Sequence, residues 1–168
     1  MEGDEKVKEE ALQIIALHRD LPRLIVFDLD YTLWPFNCHC CNEDKMPSLF
    51  PQATGILYAL KDKGIDMVIA SRSPTPEIAT TFLDRLGIRS MFVAEEIFFS
   101  RTHKTEHFQR IHRRTGTRFD SMLFFDDEDS NIEVVSKMGV TIIFGTQWGN
   151  PSSFEAGTLR LLSEAKFI

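Results

Sequence analysis

The chain has 168 residues, a length that fits one domain, and at 43% hydrophobic and 26% charged it has the balance of an ordinary globular protein. Its net charge of −6 argues against a broad nucleic-acid or anionic-membrane surface, which needs a basic patch, but leaves room for a small anionic substrate met by a few local cations and a metal. No apolar run approaches the roughly 18 residues of a membrane span. The Glu- and Lys-rich stretch Met1–Glu10 has no apolar core of the secretion-signal type, and Cys38, Cys40 and Cys41 lie too close together to form a disulfide framework. The expectation is a cytoplasmic protein, with the nucleus left open.

The first periodic segment, Lys6–Leu17, puts Val7, Ala11, Ile14 and Ile15 on one helical face and reads as a packing helix within an N-terminal extension of residues 1–20. Leu24–Leu29 (LIVFDL) is the first of five short apolar runs; Met67–Ala70, Met91–Ala94, Met122–Phe125 and Val140–Phe144 follow. Near-continuous hydrophobicity of this kind marks strands buried on both faces, as in a parallel sheet. Pro35–Pro51 lacks periodicity, so 33–51 reads as a loop or flap. Helical patterns fill the gaps at Gln52–Lys63, Thr75–Leu86, Lys104–Thr115 and Ser130–Met138. Each ends just before a glycine able to close a helix in the left-handed conformation. Thr75-Pro76-Glu77 supplies a start signal of capping hydroxyl, proline and acid. A terminal helix is expected over Phe154–Phe167. The pattern predicts an α/β fold: a three-layer, Rossmann-like parallel sheet of about five core strands with helices on both faces.

The polar residues that carry chemistry stand where the strands stop. Asp28-Leu29-Asp30-Tyr31-Thr32 follows the first run, Ser71-Arg72-Ser73 the second, Asp126-Asp127-Glu128 the fourth, and Lys104 opens the helix before it. Ligands of open α/β sheets bind beyond the carboxyl ends of the strands. Asp28 and Asp126 side by side would repel by about 4 kcal/mol at about 4 Å and an effective dielectric near 20. A dication removes that cost, and hard oxygen ligands favour magnesium over zinc. Ser71 can donate to a phosphate oxygen, and Lys104 can neutralise both Asp28 and a substrate phosphate. Taken singly, each residue has a plainer reading: a helix cap for Asp28 or Ser71, a solvated lysine, an acidic loop, a surface ion pair for Arg72. Their joint placement at one sheet edge favours phosphoryl chemistry, with Asp28 as nucleophile and Asp30 as the acid that protonates the leaving oxygen.

The motifs VFDLDYT (Val26–Thr32), IASR (Ile69–Arg72), HKTEHF (His103–Phe108) and FFDDEDSN (Phe124–Asn131) resemble the four motifs of the haloacid dehalogenase superfamily. FDLDYTLWPF (Phe27–Phe36) and FFDDE-x-x-N bring the chain closest to its eukaryotic magnesium-dependent phosphatases. The resemblance implies catalytic Asp28, Asp30 and Lys104; a substrate phosphate held by Leu29, Ser71, Arg72 and Lys104; and magnesium held by Asp28, Asp126, the backbone carbonyl of Asp30 and, through water, Asp127. It implies a supporting role for Asn131. The gaps at 33–51 and 72–101 are too short for a large cap domain, so a capless single domain over 1–168 is expected, open to phosphotyrosine-like groups on proteins or to sugar phosphates. It is expected to act as a monomer, without nucleic-acid or membrane partners.

Trp34, Pro35 and Phe36 read either as an apolar wall for the leaving group or as packing of the flap. Cys38-His39-Cys40-Cys41 does not match structural zinc spacing and reads as loop residues. His103, His107 and His112 lie near Lys104 and read as helix-surface positions, with a site-facing His103 as the alternative. Two other functions remain open on the sequence. A receiver-like magnesium- and phosphate-binding regulator would use the same acidic pocket but has no use for Asp30, and a dehalogenase needs neither Asp30 nor the Asp126-Asp127 pair.

Overall fold

The computed structural model describes residues 2–16 and 22–144, so the expected helix at Phe154–Phe167 lies outside the described residues. Among the described residues five parallel strands form the sheet: β1 (Leu24–Phe27), β2 (Asp66–Ser71), β3 (Ala94–Ile97), β4 (Met122–Asp126) and β5 (Thr141–Phe144). Their order across it is β3-β2-β1-β4-β5. The helices are α1 (Glu2–Ala16), α2 (Ala53–Asp62), α3 (Pro76–Arg85), α4 (Thr105–Thr115) and α5 (Asp129–Ser136).

Strand alternation sorts the core into two layers. Ile25 and Phe27 of β1 pack with Leu57 of α2 and Phe82 and Leu83 of α3. Leu24 and Val26 face the other way and pack with Phe108 and Ile111 of α4 and Val135 of α5. The helices change face when the chain returns from β3 at one edge to β4 beside β1. That reversal opens a crevice at the carboxyl end of β1, the usual ligand position of a doubly wound sheet.

The central strands coincide with the apolar runs, but β3 does not. Met91–Phe92 is buried, yet Arg89–Met91 forms a 3-10 turn and the strand begins only at Ala94. Among the described residues β3 pairs with β2 alone. An edge strand with a half-exposed side alternates rather than runs apolar, and here Ala94 and Glu96 are buried while Glu95 and Ile97 are half-buried. Buried Glu96 is matched by Arg114 at 2.9 Å and Arg110 at 3.8 Å. The expected cap hydroxyl of Thr75 does not cap α3. It sits 3.3 Å from Ser73 Oγ, while Pro76 begins the helix as expected.

α1 lies against α2, with Ala11 and Ile15 buried in the core on that side. Gly55 makes this crossing possible, since a Cβ there would come within 2.8 Å of Asp4 O, Lys8 N and Val7 Cβ. Gly64, Gly87, Gly116 and Gly139 all take the positive φ that their positions after helices predict. Among the described residues 33–51 holds only a 3-10 turn, Cys38–Cys40, so no large cap covers the sheet. No helix among the described residues is long and apolar enough to cross a membrane.

Candidate active site

Register brings the acids together. Phe27 pairs with Phe125 across β1 and β4, so Asp28 and Asp126, the next residues, stand side by side. The Asp28 amide extends that ladder by donating to Phe125 O at 2.9 Å. Lys104 lies 76 residues from Asp28 in sequence, yet its Nζ donates to Asp28 Oδ1 and to Asp126 Oδ2, each at 2.8 Å. Its side chain is 1% exposed. His103 and Lys104 both have positive φ, 48° and 77°, an uncommon state for residues with a Cβ. The turn they make directs the lysine inward just before α4 begins.

Asp126 is fully buried and accepts the backbone N–H groups of Asp127 (2.7 Å) and Glu128 (3.0 Å) and the Asn131 amide (3.1 Å). Burial works against its charge, but Lys104 and these N–H groups prevail and hold its carboxyl below the usual range. Asp28 goes the other way. Burial, with Asp126 and Asp127 adding, pushes its carboxyl well above the usual value despite Lys104. Burial and the charge of Asp126 likewise raise Asp127. Lys104 is raised because the two aspartates outweigh the cost of burying its charge.

Ligand oxygens of Asp28, Asp126 and Asp127 lie within 4.8 Å of one another. Three carboxylates against one ammonium leave an excess of two negative charges when all are ionised. An all-oxygen donor set with that excess suits a hard dication, and magnesium in particular. Asn131 fits as well: its Nδ2 bridges Asp126 and Glu128 at 3.1 Å each, while its buried Oδ1 has no protein partner.

Asp28, Lys104, Asp127 and Asn131 line an open cleft of about 420 Å³ that also takes in Asp30, Tyr31, Asn37, His39, Ser71, Arg72 and Phe99, while Asp126 is itself fully buried. The sequence profile of the acid phosphatase family matches residues 20–48 and 42–157. Human magnesium-dependent phosphatase 1 is 38% identical over 138 residues, spanning 73% of this chain and 77% of that protein. A haloacid-dehalogenase-like hydrolase of Schizosaccharomyces pombe is 33% identical over 150 residues, spanning 74% and 86%. Among solved structures, the Mg-complexed N-terminal phosphatase-containing part of a Bacteroides fragilis protein superposes with a TM-score of 0.68 at 20% identity, over 92% of this chain and 44% of that one.

The chain belongs to the magnesium-dependent phosphatases of the haloacid dehalogenase superfamily. It is a phosphatase, and its cofactor is Mg2+. In this phosphatase, Asp28, Lys104, Asp126 and Asp127 meet at one point, and Ser71 and Arg72 border the same cleft from the end of β2. The Asp30 side chain stands apart from the three-carboxylate cluster. Its Oδ1 accepts Trp34 Nε1 at 2.8 Å and the Cys38 amide at 3.0 Å. Arg72 does not hang free over the cleft. Its Nε donates to Ser100 O at 2.8 Å, and its Nη1 lies 3.7 Å from Glu128 Oε1.

Of the two readings of Trp34, packing is the one the structure bears out: it is 0% exposed and packs on Phe36 and Phe82, so it does not wall the cleft. The exposed rim aromatics are instead Tyr31 (48%) and Phe99 (60%), which the sequence reading did not single out. His107 is buried, not on the helix surface. Its Nε2 faces the carbonyls of Ser71 (2.8 Å) and Phe98 (2.9 Å), and burial lowers its pKa to about 4. The spacing of Lys104, His107, Phe108 and Ile111 along one helical face was the available signal. Cys38 is also buried. Its thiol, 3.4 Å from Ser73 Oγ, is pushed up to about 12 by burial, with the Asp30 charge adding to the shift.

Proposed function

We propose that the phosphatase hydrolyses phosphomonoesters in two transfers through an aspartyl-phosphate on Asp28. Support comes above all from the double contact of buried Lys104 with Asp28 and Asp126. A buried cation anchored on both acids holds Asp28 in place at the head of the cleft and offers a positive charge to an incoming phosphate. In the first transfer an Asp28 carboxylate oxygen attacks phosphorus and the bond to the leaving oxygen breaks. Asp30, protonated, gives that oxygen its proton. In the second, Asp30 takes a proton from water, the hydroxyl attacks phosphorus, and the bond to Asp28 breaks to release inorganic phosphate.

Ser71, Arg72 and Lys104 would hold the phosphoryl oxygens. Leu29 would add only its backbone N–H, since its side chain is fully buried in the core. Asp28, Asp126 and the Asp30 carbonyl would ligate Mg2+ directly and Asp127 through water. When bound, Mg2+ neutralises the carboxylate excess and withdraws charge from the phosphoryl group. Residues 1–168 are read as one domain acting as a monomer in a reducing compartment.

Without a cap the cleft admits phosphate on a bulky carrier, and the reading extends to phosphotyrosine-like protein groups or sugar phosphates. Tyr31 and Phe99 at the rim would stack on an aromatic or sugar ring. The test is hydrolysis of an aryl phosphate with Mg2+ and with chelator, by wild type and Asp28→Asn. Activity only in metal-loaded wild type is expected; a folded, active Asp28→Asn variant would defeat the mechanism. A panel of phosphopeptides and sugar phosphates then ranks the substrates.

A further inference from the structure

Asp30 is tied to the flap rather than to the acidic cluster. After β1 the chain turns sharply: Leu29 O accepts the amides of Thr32, Leu33 and Trp34 at 3.1, 2.9 and 3.4 Å, and Tyr31 takes φ 56°. The turn returns Trp34 beneath Asp30, where its indole N–H donates to Asp30 Oδ1 at 2.8 Å. Cys38, at the start of the flap's 3-10 turn, donates its amide to the same oxygen at 3.0 Å. Both donors are fixed. Trp34 is fully buried, stacked at 5.4 Å on Phe36 and edge-on at 5.8 Å to Phe82 of α3. The flap is tied to α3 as well, since Arg85 donates to the carbonyls of Glu43 and Lys45.

We propose that Trp34 and the Cys38 amide are positioning groups that clamp Oδ1 of Asp30 and leave Oδ2 as the oxygen that carries the transferable proton. The inference rests on the reading of Asp30 as general acid. A carboxyl rotor free to turn presents either oxygen at a range of angles, whereas two donors on one oxygen fix which one faces the cleft. This assigns the flap a role in proton transfer, and Trp34 a role beyond packing: its indole nitrogen does what no purely apolar ring can.

The test compares leaving groups. Ejecting an alkoxide requires a proton from Asp30; ejecting a nitrophenolate does not. The readout is the ratio of kcat/KM for an alkyl phosphate to that for an aryl phosphate, both measured with Mg2+. General acid catalysis contributes about 10²–10⁴-fold, so Asp30→Asn should lower the ratio by that order. Trp34→Phe, which keeps an aromatic ring and deletes the N–H, should lower it at least about tenfold. Should that variant fail to fold, position 38 reads the same oxygen. Cys38→Pro removes the amide donor at a site suited to proline: the first residue of a 3-10 turn, preceded by Asn37 at φ −101° and ψ 113°. Cys38→Ala, which keeps the amide, is its reference. A ratio lower in Cys38→Pro than in Cys38→Ala supports the clamp, because general damage to the fold lowers both substrates together. If Asp30→Asn collapses the ratio while Trp34→Phe and Cys38→Pro leave it at the wild-type value, the clamp is wrong and the acid role stands. If Asp30→Asn leaves the ratio unmoved, the acid role fails and takes the inference with it.

Discussion

Replacing Lys104 with methionine removes a buried ammonium that touches two carboxylates at 2.8 Å each. At an effective dielectric near 20, each contact carries about 6 kcal/mol of attraction, most of it offset by the cost of burying the charges. What remains after the deletion is a pair of facing acids with no cation, and breaking a buried pair this way costs about 3–5 kcal/mol. The sign with pH follows from the carboxylates. Burial already holds Asp28 above its unfolded value; without Lys104 it rises further, and Asp126 loses the cation that does most to hold it down. Their contribution is then complete at low pH and is lost as pH rises through the folded values, so the deficit against wild type grows with pH. Urea unfolding of wild type and Lys104→Met over a series of pH values, in chelator, measures it. The reasoning fails if the deficit is about 1 kcal/mol or less, the worth of an exposed pair, and does not vary with pH.

His107 is neutral in the fold because its Nε2 faces two carbonyls and its buried Nδ1 has no partner for a second proton. With its pKa lowered to about 4 from an ordinary 6.5, it contributes stability present above about pH 6.5 and lost as pH falls through about 4, roughly 3 kcal/mol in all; guanidinium unfolding against His107→Gln should show the shallower pH dependence in the variant. Gly55→Ala forces a Cβ to within 2.8 Å of α1 backbone and should cost about 1–3 kcal/mol, read as a lower Tm with faster proteolysis of α1. Mg2+ at a hundredfold excess over its Kd should stabilise wild type by about 3 kcal/mol, and Asp126→Asn should lose most of that gain in a thermal-shift titration.

The sheet could be read from sequence where both strand faces are buried. β1, β2 and β4 carry unbroken apolar runs because helices cover them on either side, and their terminal acids and Ser71 follow directly. β3 could not be read the same way. As an edge strand it alternates, and the run Met91–Ala94 is mostly a core plug preceding it. The convergence of Lys104 on Asp28 was legible only as chemistry, since nothing local joins residues 76 apart. Trp34 kept two readings until the structure chose packing, because an aromatic beside a catalytic loop has the same spelling whether it walls a cleft or fills a core. Its indole N–H on Asp30 depends on the left-handed turn at Tyr31, a non-glycine residue whose identity gives no warning of it.

The central claim is that phosphate passes through a covalent bond to Asp28. Rapid acid quench during turnover of a phosphomonoester with Mg2+, followed by borohydride reduction and peptide mass analysis, tests it directly. Reduction of the acyl phosphate should convert residue 28, and no other acid, into homoserine, and Asp28→Asn should show no such product. Full turnover with Asp28 never modified, or with the reduced residue found at Asp30, Asp126 or Asp127, would contradict the account.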